Sequence, residues 1–340
     1  MTSIQERVAL TSLTTFGCPS LAEHFIEVHS LEELRAAVHE AHENHWKIHV
    51  LGAGANTIAR SWVEGLVIRV ALKGIDVTPT SEGALLTVGA GELFQTVIDR
   101  MLALGFSGLE NLTAIPGTVG GAVVQNIGAY GVELAEHLVS VRVYDCQRDE
   151  ELVLTAQDCD FAYRHSVFKK PKASQWIILS AVLRVQKAFT PVISYKDVEQ
   201  SLVREGLSVE TLTATRLSEL IREIRARKLP DPQVIGNAGS FFMNPIVNKV
   251  HWRRLLTTHP SLVSYKLGGA RMKIAAAWLI EEAGFKGWSD GKVGVYDKHA
   301  LILVNKGAAT GEDVLRLAKT IQERVQAQFG VQLKMEPVVL

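Results

Sequence analysis

Between Glu110 and Glu133 the chain carries no charged side chain, and that run holds Pro116 and five glycines: Gly117, Gly120, Gly121, Gly128 and Gly131. Its length would cross a bilayer. A helix so interrupted would leave backbone polar groups that lipid cannot satisfy, so the run is expected to form glycine-rich bends within a soluble protein. The rest of the chain agrees with that. At 340 residues, two domains are expected. Lys+Arg and Asp+Glu both total 36, so no cationic surplus exists to neutralise phosphates, which argues against a dedicated nucleic-acid binder.

Glu6 and Arg7 stand where a signal peptide needs an apolar run. Cys18, Cys146 and Cys159 are an odd number without CxxC spacing, so neither a disulfide framework nor a zinc knuckle is expected. These features predict a cytoplasmic protein with no membrane segment. His39, His42 and His45 fall on one side of a helix and read as its solvated face; no metal site is expected.

The first half alternates strands and helices. Phe25–Val28 reads as a strand, and Ser30 with Glu33 forms a capping box ahead of the stripe Leu31, Leu34, Val38, Ala41. Lys47–Leu51 reads as a second strand running into a glycine turn, a βαβ arrangement. Strands are expected at 66–70, 85–88 and 139–145, and a helix at 93–104. Trp176–Gln186 is nearly all apolar and is expected at the centre of a sheet. Around Pro191 the pattern fails, predicting a loop, and the domain boundary is placed within 187–209. Beyond it, helices are expected from Thr213 to before Pro230, over Lys273–Gly284, and from the Thr310–Asp313 capping box to Gly330, with a strand at Leu301–Asn305.

LGAGAN (Leu51–Asn56) follows a strand, but Thr57 stands where a dinucleotide-binding fingerprint needs its third glycine, so a plain turn is equally consistent. In IPGTVGGAVVQNIGAYG (Ile115–Gly131), Gly117, Gly120 and Gly121 leave backbone amides unshielded, and Gln125 and Asn126 offer fixed amide groups. Two such bends favour a dinucleotide-type ligand over a tight structural corner. Arg164 lies among Phe161, Tyr163 and Phe168, which suits a structural cation–π contact and a carboxylate clamp equally. Ser240 in GNAGSFFMNP is not a nucleophile elbow and reads as a hydroxyl acid or a turn hydrogen bond. Lys228 ends a helix, where a cation is favoured. Glu336 lies opposite the apolar Val331, Leu333 and Met335, ordinarily a solvated strand end.

Together LGAGAN, GLENLTAIPGTVGGAVVQNIGAYG, FAYRHSVFK, KLPDP, GNAGSFFMNP and the terminal MEP resemble, in order and over nearly the whole chain, the UDP-N-acetylenolpyruvoylglucosamine reductases. PVISYKD, with Tyr195, resembles the tyrosine-bearing loop of that family's longer type. The resemblance implies an α+β protein. An FAD-binding domain of the PCMH (vanillyl-alcohol-oxidase) type would cover 16–187, a smaller α/β substrate domain 205–325, and a C-terminal strand over 326–340 would return to the FAD side.

It implies FAD and NADPH as cofactors and a UDP-sugar substrate, with no nucleic-acid or membrane partner. Cofactor contacts would fall to Gly52, Gly54, Asn56, Thr57, Pro116, Gly117, Thr118, Gly120, Gly121, Gln125, Asn126, Gly128, Ala129 and Tyr130. Catalytic positions would be Arg164, Ser240 and Glu336, and substrate contacts Tyr195, Lys228, Asn244 and His299. Met243 departs from the pattern, since many members carry lysine after GSFF.

The implied chemistry asks for those residue types. Hydride from flavin N5 to the enolpyruvyl terminal carbon leaves negative charge on the carbon bearing the carboxylate, as an enediolate-like species. A fixed cation such as Arg164 suits the carboxylate, and Glu336 with a pKa raised by burial would donate to the same oxygens. Ser240 would supply the proton, helped by a neighbouring charge for which Lys228 is the candidate. Two alternatives are a PCMH-fold flavin oxidoreductase with another substrate and a non-catalytic nucleotide-sugar-binding flavoprotein.

Overall fold

The computed structural model describes residues 3–171 and 175–340, which divide into two compact units. The first comprises residues up to 8, 22–53 and 64–227. Its four-stranded sheet runs in the order Gln5–Ala9, Leu21–Val28, Trp62–Val70, Ile48–Leu51. Ile48–Leu51 pairs in parallel with the strand beside it, Ile48 opposite Leu66, so the crossover helix Leu31–Glu43 lies between non-adjacent strands. That helix starts where Ser30 Oγ accepts the Glu33 N–H, and it buries Leu34, Ala37, Val38 and Ala41, the expected stripe.

A second, five-stranded sheet has the order Glu150–Thr155, Leu138–Asp145, Trp176–Gln186, Gly83–Gly89, Ile75–Pro79, antiparallel throughout. Trp176–Gln186 takes the central place its apolar character predicts, with Ile177, Leu179, Ala181, Leu183 and Val185 buried. The helices Phe94–Ala103 and Val119–Gln125 bury Val97, Ile98, Met101, Val119 and Val123 in the same core.

The stretch read as a loop after Pro191 contains a helix, Lys196–Glu205. It shares a separate small core with the next helix, Ala214–Lys228, through Val198, Leu202, Leu217, Leu220, Ile221 and Ile224. Tyr130 and Phe189 pack against that core, which keeps both helices in the first unit. The boundary therefore follows Arg227 and does not fall within 187–209.

The second unit comprises 9–21, 54–63 and 228–340. One of its sheets orders Asn237–Ser240, Ile302–Asn305, Val293–Val295, and another Ile246–Asn248, Arg271–Ile274, Ser264–Lys266. Val338–Val339 pairs in parallel with Thr57–Ile58. The long helix Gly311–Phe329 begins at a reciprocal Thr310–Asp313 capping box and ends at left-handed Gly330, as its sequence predicts. Phe16 and Ile58, far away in sequence, are buried in this core. The helix expected over 273–284 is shorter, Ala276–Glu282, because Lys273 pairs with Ile246 and Tyr265 in a sheet and Met272 and Ile274 alternate inward with strand period. Among the described residues no helix is long and apolar enough to cross a membrane.

Candidate functional site

In the first unit Gly52, from the first glycine bend, touches Thr118 of the second. A Cβ placed on Gly52 would sit 2.5 Å from Thr118 Oγ1, so any larger residue there displaces the threonine. Thr118 in turn caps the helix Val119–Gln125 by accepting the Gly121 N–H at 3.4 Å. The Gly120 N–H donates to Ala90 O at 2.9 Å, and Gly117 O accepts the Phe94 N–H at 3.0 Å. The Gly120 and Gly121 N–H groups, read from the sequence as unshielded by side chains, thus both bond within the protein. Among the described residues the N–H groups from Gly52 to Asn56 make no hydrogen bond.

The amide of Asn126 is fully engaged as well. Its Nδ2 donates to Glu133 Oε2 (2.9 Å) and Ala162 O (3.1 Å), while Oδ1 accepts the Ala135 N–H (3.1 Å). Asn126, left-handed at φ 41°, ends the glycine-loop helix. Gln125 accepts from the Lys169 ammonium. Gly128–Ala129 then pairs with Val132–Glu133 around a tight turn whose two central residues, Tyr130 and Gly131, have φ 48° and 90°.

Arg164 also has a positive φ, 53°, a conformation that an arginine keeps only when its surroundings hold it there. Its Nη2 donates to Gly128 O at 3.0 Å, and its guanidinium carbon lies 5.4 Å from the centre of the Tyr163 ring. Tyr195 is exposed at the start of the helix Lys196–Glu205 and meets Tyr130 edge to face, ring centres 5.1 Å apart. Asn111 joins their segments: buried at 1 % exposure, it donates through Nδ2 to both Tyr130 O and Val192 O at 2.8 Å.

Sequence reasoning missed Arg225. Its Nε donates to Ala114 O at 3.2 Å, just ahead of the second bend, and burial lowers its proton affinity while neighbouring Tyr130 opposes that shift. Burial likewise raises the Tyr130 hydroxyl, against the pull of Arg225. The available signal was spacing: Leu217, Ile221 and Arg225 recur every four residues, which sets a cation on the apolar stripe.

In the second unit, left-handed Gly239 (φ 68°) turns the chain immediately before Ser240. The local turn bond read as an option for Ser240 is made by Asn237, whose Oδ1 accepts the Gly239 N–H at 3.0 Å. The structure brings Ser240 and Glu336 onto neighbouring backbones. The Glu336 N–H donates to Phe241 O at 2.9 Å, Phe242 bridges to Met335, and the Met243 N–H donates to Lys334 O. Glu336 is half-buried. Asn56 Nδ2 donates to Glu336 O at 3.2 Å, and Thr57 pairs with Val338, so the end of the first bend and the Glu336 segment are fastened together.

Asn244 Oδ1 accepts the Ala276 N–H at 2.9 Å, which fixes the side chain with its NH2 as the donor end. His299 Nδ1 accepts the Leu301 N–H at 3.3 Å, and Lys228 is exposed where its helix ends. Arg164 and Tyr195 belong to the first unit; Lys228, Ser240, Asn244, His299 and Glu336 belong to the second.

Comparison with known proteins matches residues 22–154 to an FAD binding domain and residues 231–340 to the C-terminal domain of UDP-N-acetylenolpyruvoylglucosamine reductase. The reductase of that name from Azoarcus sp. (strain BH72) is 43% identical over 334 residues, covering 97% of this chain and 95% of that protein. The one from Cupriavidus pinatubonensis is 42% identical over 340 residues and covers 100% of both chains. The crystal structure of the reductase from Thermus caldophilus superposes with a TM-score of 0.68 at 26% identity, over 100% of this chain and 99% of that one.

The residues present fit FAD. Within the first unit and among the described residues, Gly52 and Ala53 leave their N–H groups unpaired, donors of the kind a pyrophosphate requires, and Gly52 packs on Thr118 without an intervening side chain. With an α+β architecture, a PCMH-type FAD-binding domain and relatives alike over their full length, the chain belongs to the UDP-N-acetylenolpyruvoylglucosamine reductase family, the FAD-dependent oxidoreductases that draw on NADPH to make a peptidoglycan precursor.

Proposed function

We propose that this chain, in the cytoplasm, reduces the enolpyruvyl group of UDP-N-acetylglucosamine enolpyruvate to UDP-N-acetylmuramate, with Arg164, Ser240 and Glu336 as its catalytic side chains. The observation that carries this assignment is the lacing of the Ser240 and Glu336 segments by the Glu336 N–H to Phe241 O bond, which puts a hydroxyl-bearing and a carboxyl-bearing residue on adjoining backbone segments ahead of any ligand. When bound, FAD supplies the hydride, which it takes from NADPH.

As the terminal carbon gains that hydride, the electron pair of the alkene moves to the carbon bearing the carboxylate and spreads into its oxygens. Arg164 holds those oxygens with a planar, permanently charged fork, and Glu336 in its protonated form donates to the same group. Ser240 Oγ gives its proton to the carbanionic carbon and recovers one afterwards, with the charge of Lys228 favouring the transient alkoxide. Tyr195, Lys228, Asn244 and His299 bind the UDP-sugar, and the glycine bends with Tyr130 hold the cofactor.

Stopped-flow half-reactions test the assignment. In Ser240→Ala, anaerobic NADPH is expected to bleach the flavin at the parent rate, while reoxidation by the enolpyruvyl sugar slows by ~10²–10⁴-fold. Equal slowing of both half-reactions would show that Ser240 is not the acid.

A further inference from the structure

The turn that carries Arg164 is built onto the end of the glycine-loop helix. Ala162 and His165 close it with paired backbone bonds (3.1 and 2.9 Å). Two side-chain bonds fasten its flanks: Asn126 Nδ2 to Ala162 O at 3.1 Å, and Ser166 Oγ to Val124 O at 2.7 Å. A third connection reaches Arg164 itself. Lys169 Nζ donates to Arg164 O at 2.9 Å and also to Gln125 Oε1, on the last residue of the helix that Thr118 caps.

Those contacts have a mechanical meaning. Arg164 holds a left-handed backbone that an L side chain resists, so something must fix its peptide plane. Fixing the carbonyl fixes ψ, and with it the direction in which the guanidinium leaves the backbone. An ammonium on the carbonyl side also repels the guanidinium, which lies instead against Gly128 O and the Tyr163 ring. Because Lys169 bonds Gln125 as well, the reference point for Arg164 is the helix that starts at the second glycine bend.

We propose that Lys169 is a positioning residue for Arg164, transferring the placement of the glycine-loop helix to the guanidinium. This rests on the reading of Arg164 as the group that holds the substrate carboxylate. Lys169 acts through another side chain, so its removal should injure only the step in which Arg164 takes part.

Four proteins decide it: parent, Lys169→Met, Arg164→Met and the double variant, each followed through both half-reactions by stopped flow. Lys169→Met is expected to keep its bound FAD and its rate of bleaching by NADPH, while reoxidation by the enolpyruvyl sugar slows by ~10–100-fold, the size of a lost charge-assisted contact. In steady state, kcat/KM for the sugar falls and that for NADPH holds. In the Arg164→Met background, adding Lys169→Met changes reoxidation by less than ~2-fold, since the group it positions is gone.

Equal effects in both backgrounds would overturn the proposal, as would loss of FAD or slower bleaching in Lys169→Met, which would place its role in the cofactor loop alone. If Arg164→Met by itself reoxidises at the parent rate, the reading of Arg164 fails first, and that result is separate from anything Lys169 does. Should Lys169→Met not fold, Lys169→Gln, a shorter neutral donor, enters the same cycle.

Discussion

Glu110 shows how far a residue's chemistry depends on what surrounds it. It is 3 % exposed, its Oε2 accepts the Gly108 N–H at 2.6 Å, and burial pushes its carboxyl above the usual range although the backbone donors oppose this. A raised pKa in the folded state means the native protein holds the proton longer than the unfolded chain does. Stability contributed at low pH is therefore lost as pH rises from the ordinary carboxylate range through the folded-state value. Glu110→Gln keeps an acceptor for Gly108 and removes the titration, so the parent should lose stability relative to the variant across that window. Chemical denaturation of both proteins at stepped pH checks this; a difference that stays constant with pH would contradict it.

Asn126 gives the same lesson for the site. The sequence shows an amide in a glycine loop, but that Glu133, Ala135 and Ala162 use all of it depends on a turn 36 residues further on. The contact of Arg164 with the Tyr163 ring was legible from its aromatic neighbours, and its left-handed backbone was not, because nothing local demands it.

At the scale of elements, capping chemistry and apolar period carried most of the reading. Ser30 and Thr310 cap the helices their neighbours predict, and Trp176–Gln186 is central as its composition implies. Arg271–Ile274 was hidden because its strand period spans only four residues and the helical stripe that follows absorbs it. Lys196–Glu205 was hidden because it buries only Val198, Ser201 and Leu202, too thin a stripe to stand out after Pro191.

The contact between the two bends makes its own prediction. Gly52→Ala forces Thr118 Oγ1 away from a Cβ 2.5 Å distant, which weakens the cap on Val119–Gln125 at a cost of about 1 kcal/mol and lowers flavin retention. Once Thr118→Ala has removed that oxygen, adding Gly52→Ala should cost little more. Thermal melts and FAD content of the two single variants and the double give the coupling, and strict additivity would deny the contact any part.

At the scale of the whole molecule the thiols report on both units. Cys18 lies in the core of the second, Cys146 and Cys159 in that of the first, and burial pushes each up to about 12. All three should resist alkylation at pH 8 in the native protein and react when it unfolds, so the order in which they label under mild denaturant tells which unit opens first. Rapid labelling of any one in native buffer would contradict that burial.

The division into units was the least legible feature. Composition and loop signals are local, while the second unit recruits 9–21 and 54–63 through contacts such as Thr15 Oγ1 to Asn237 O, 222 residues apart. That recruitment bears on how the chain is made. During synthesis Phe16 and Ile58 emerge from the ribosome long before the partners that will cover them, and the first unit can close while these two threads still wait. Folding of the second unit is then a late, long-range event, the kind that proceeds slowly and leans on chaperones.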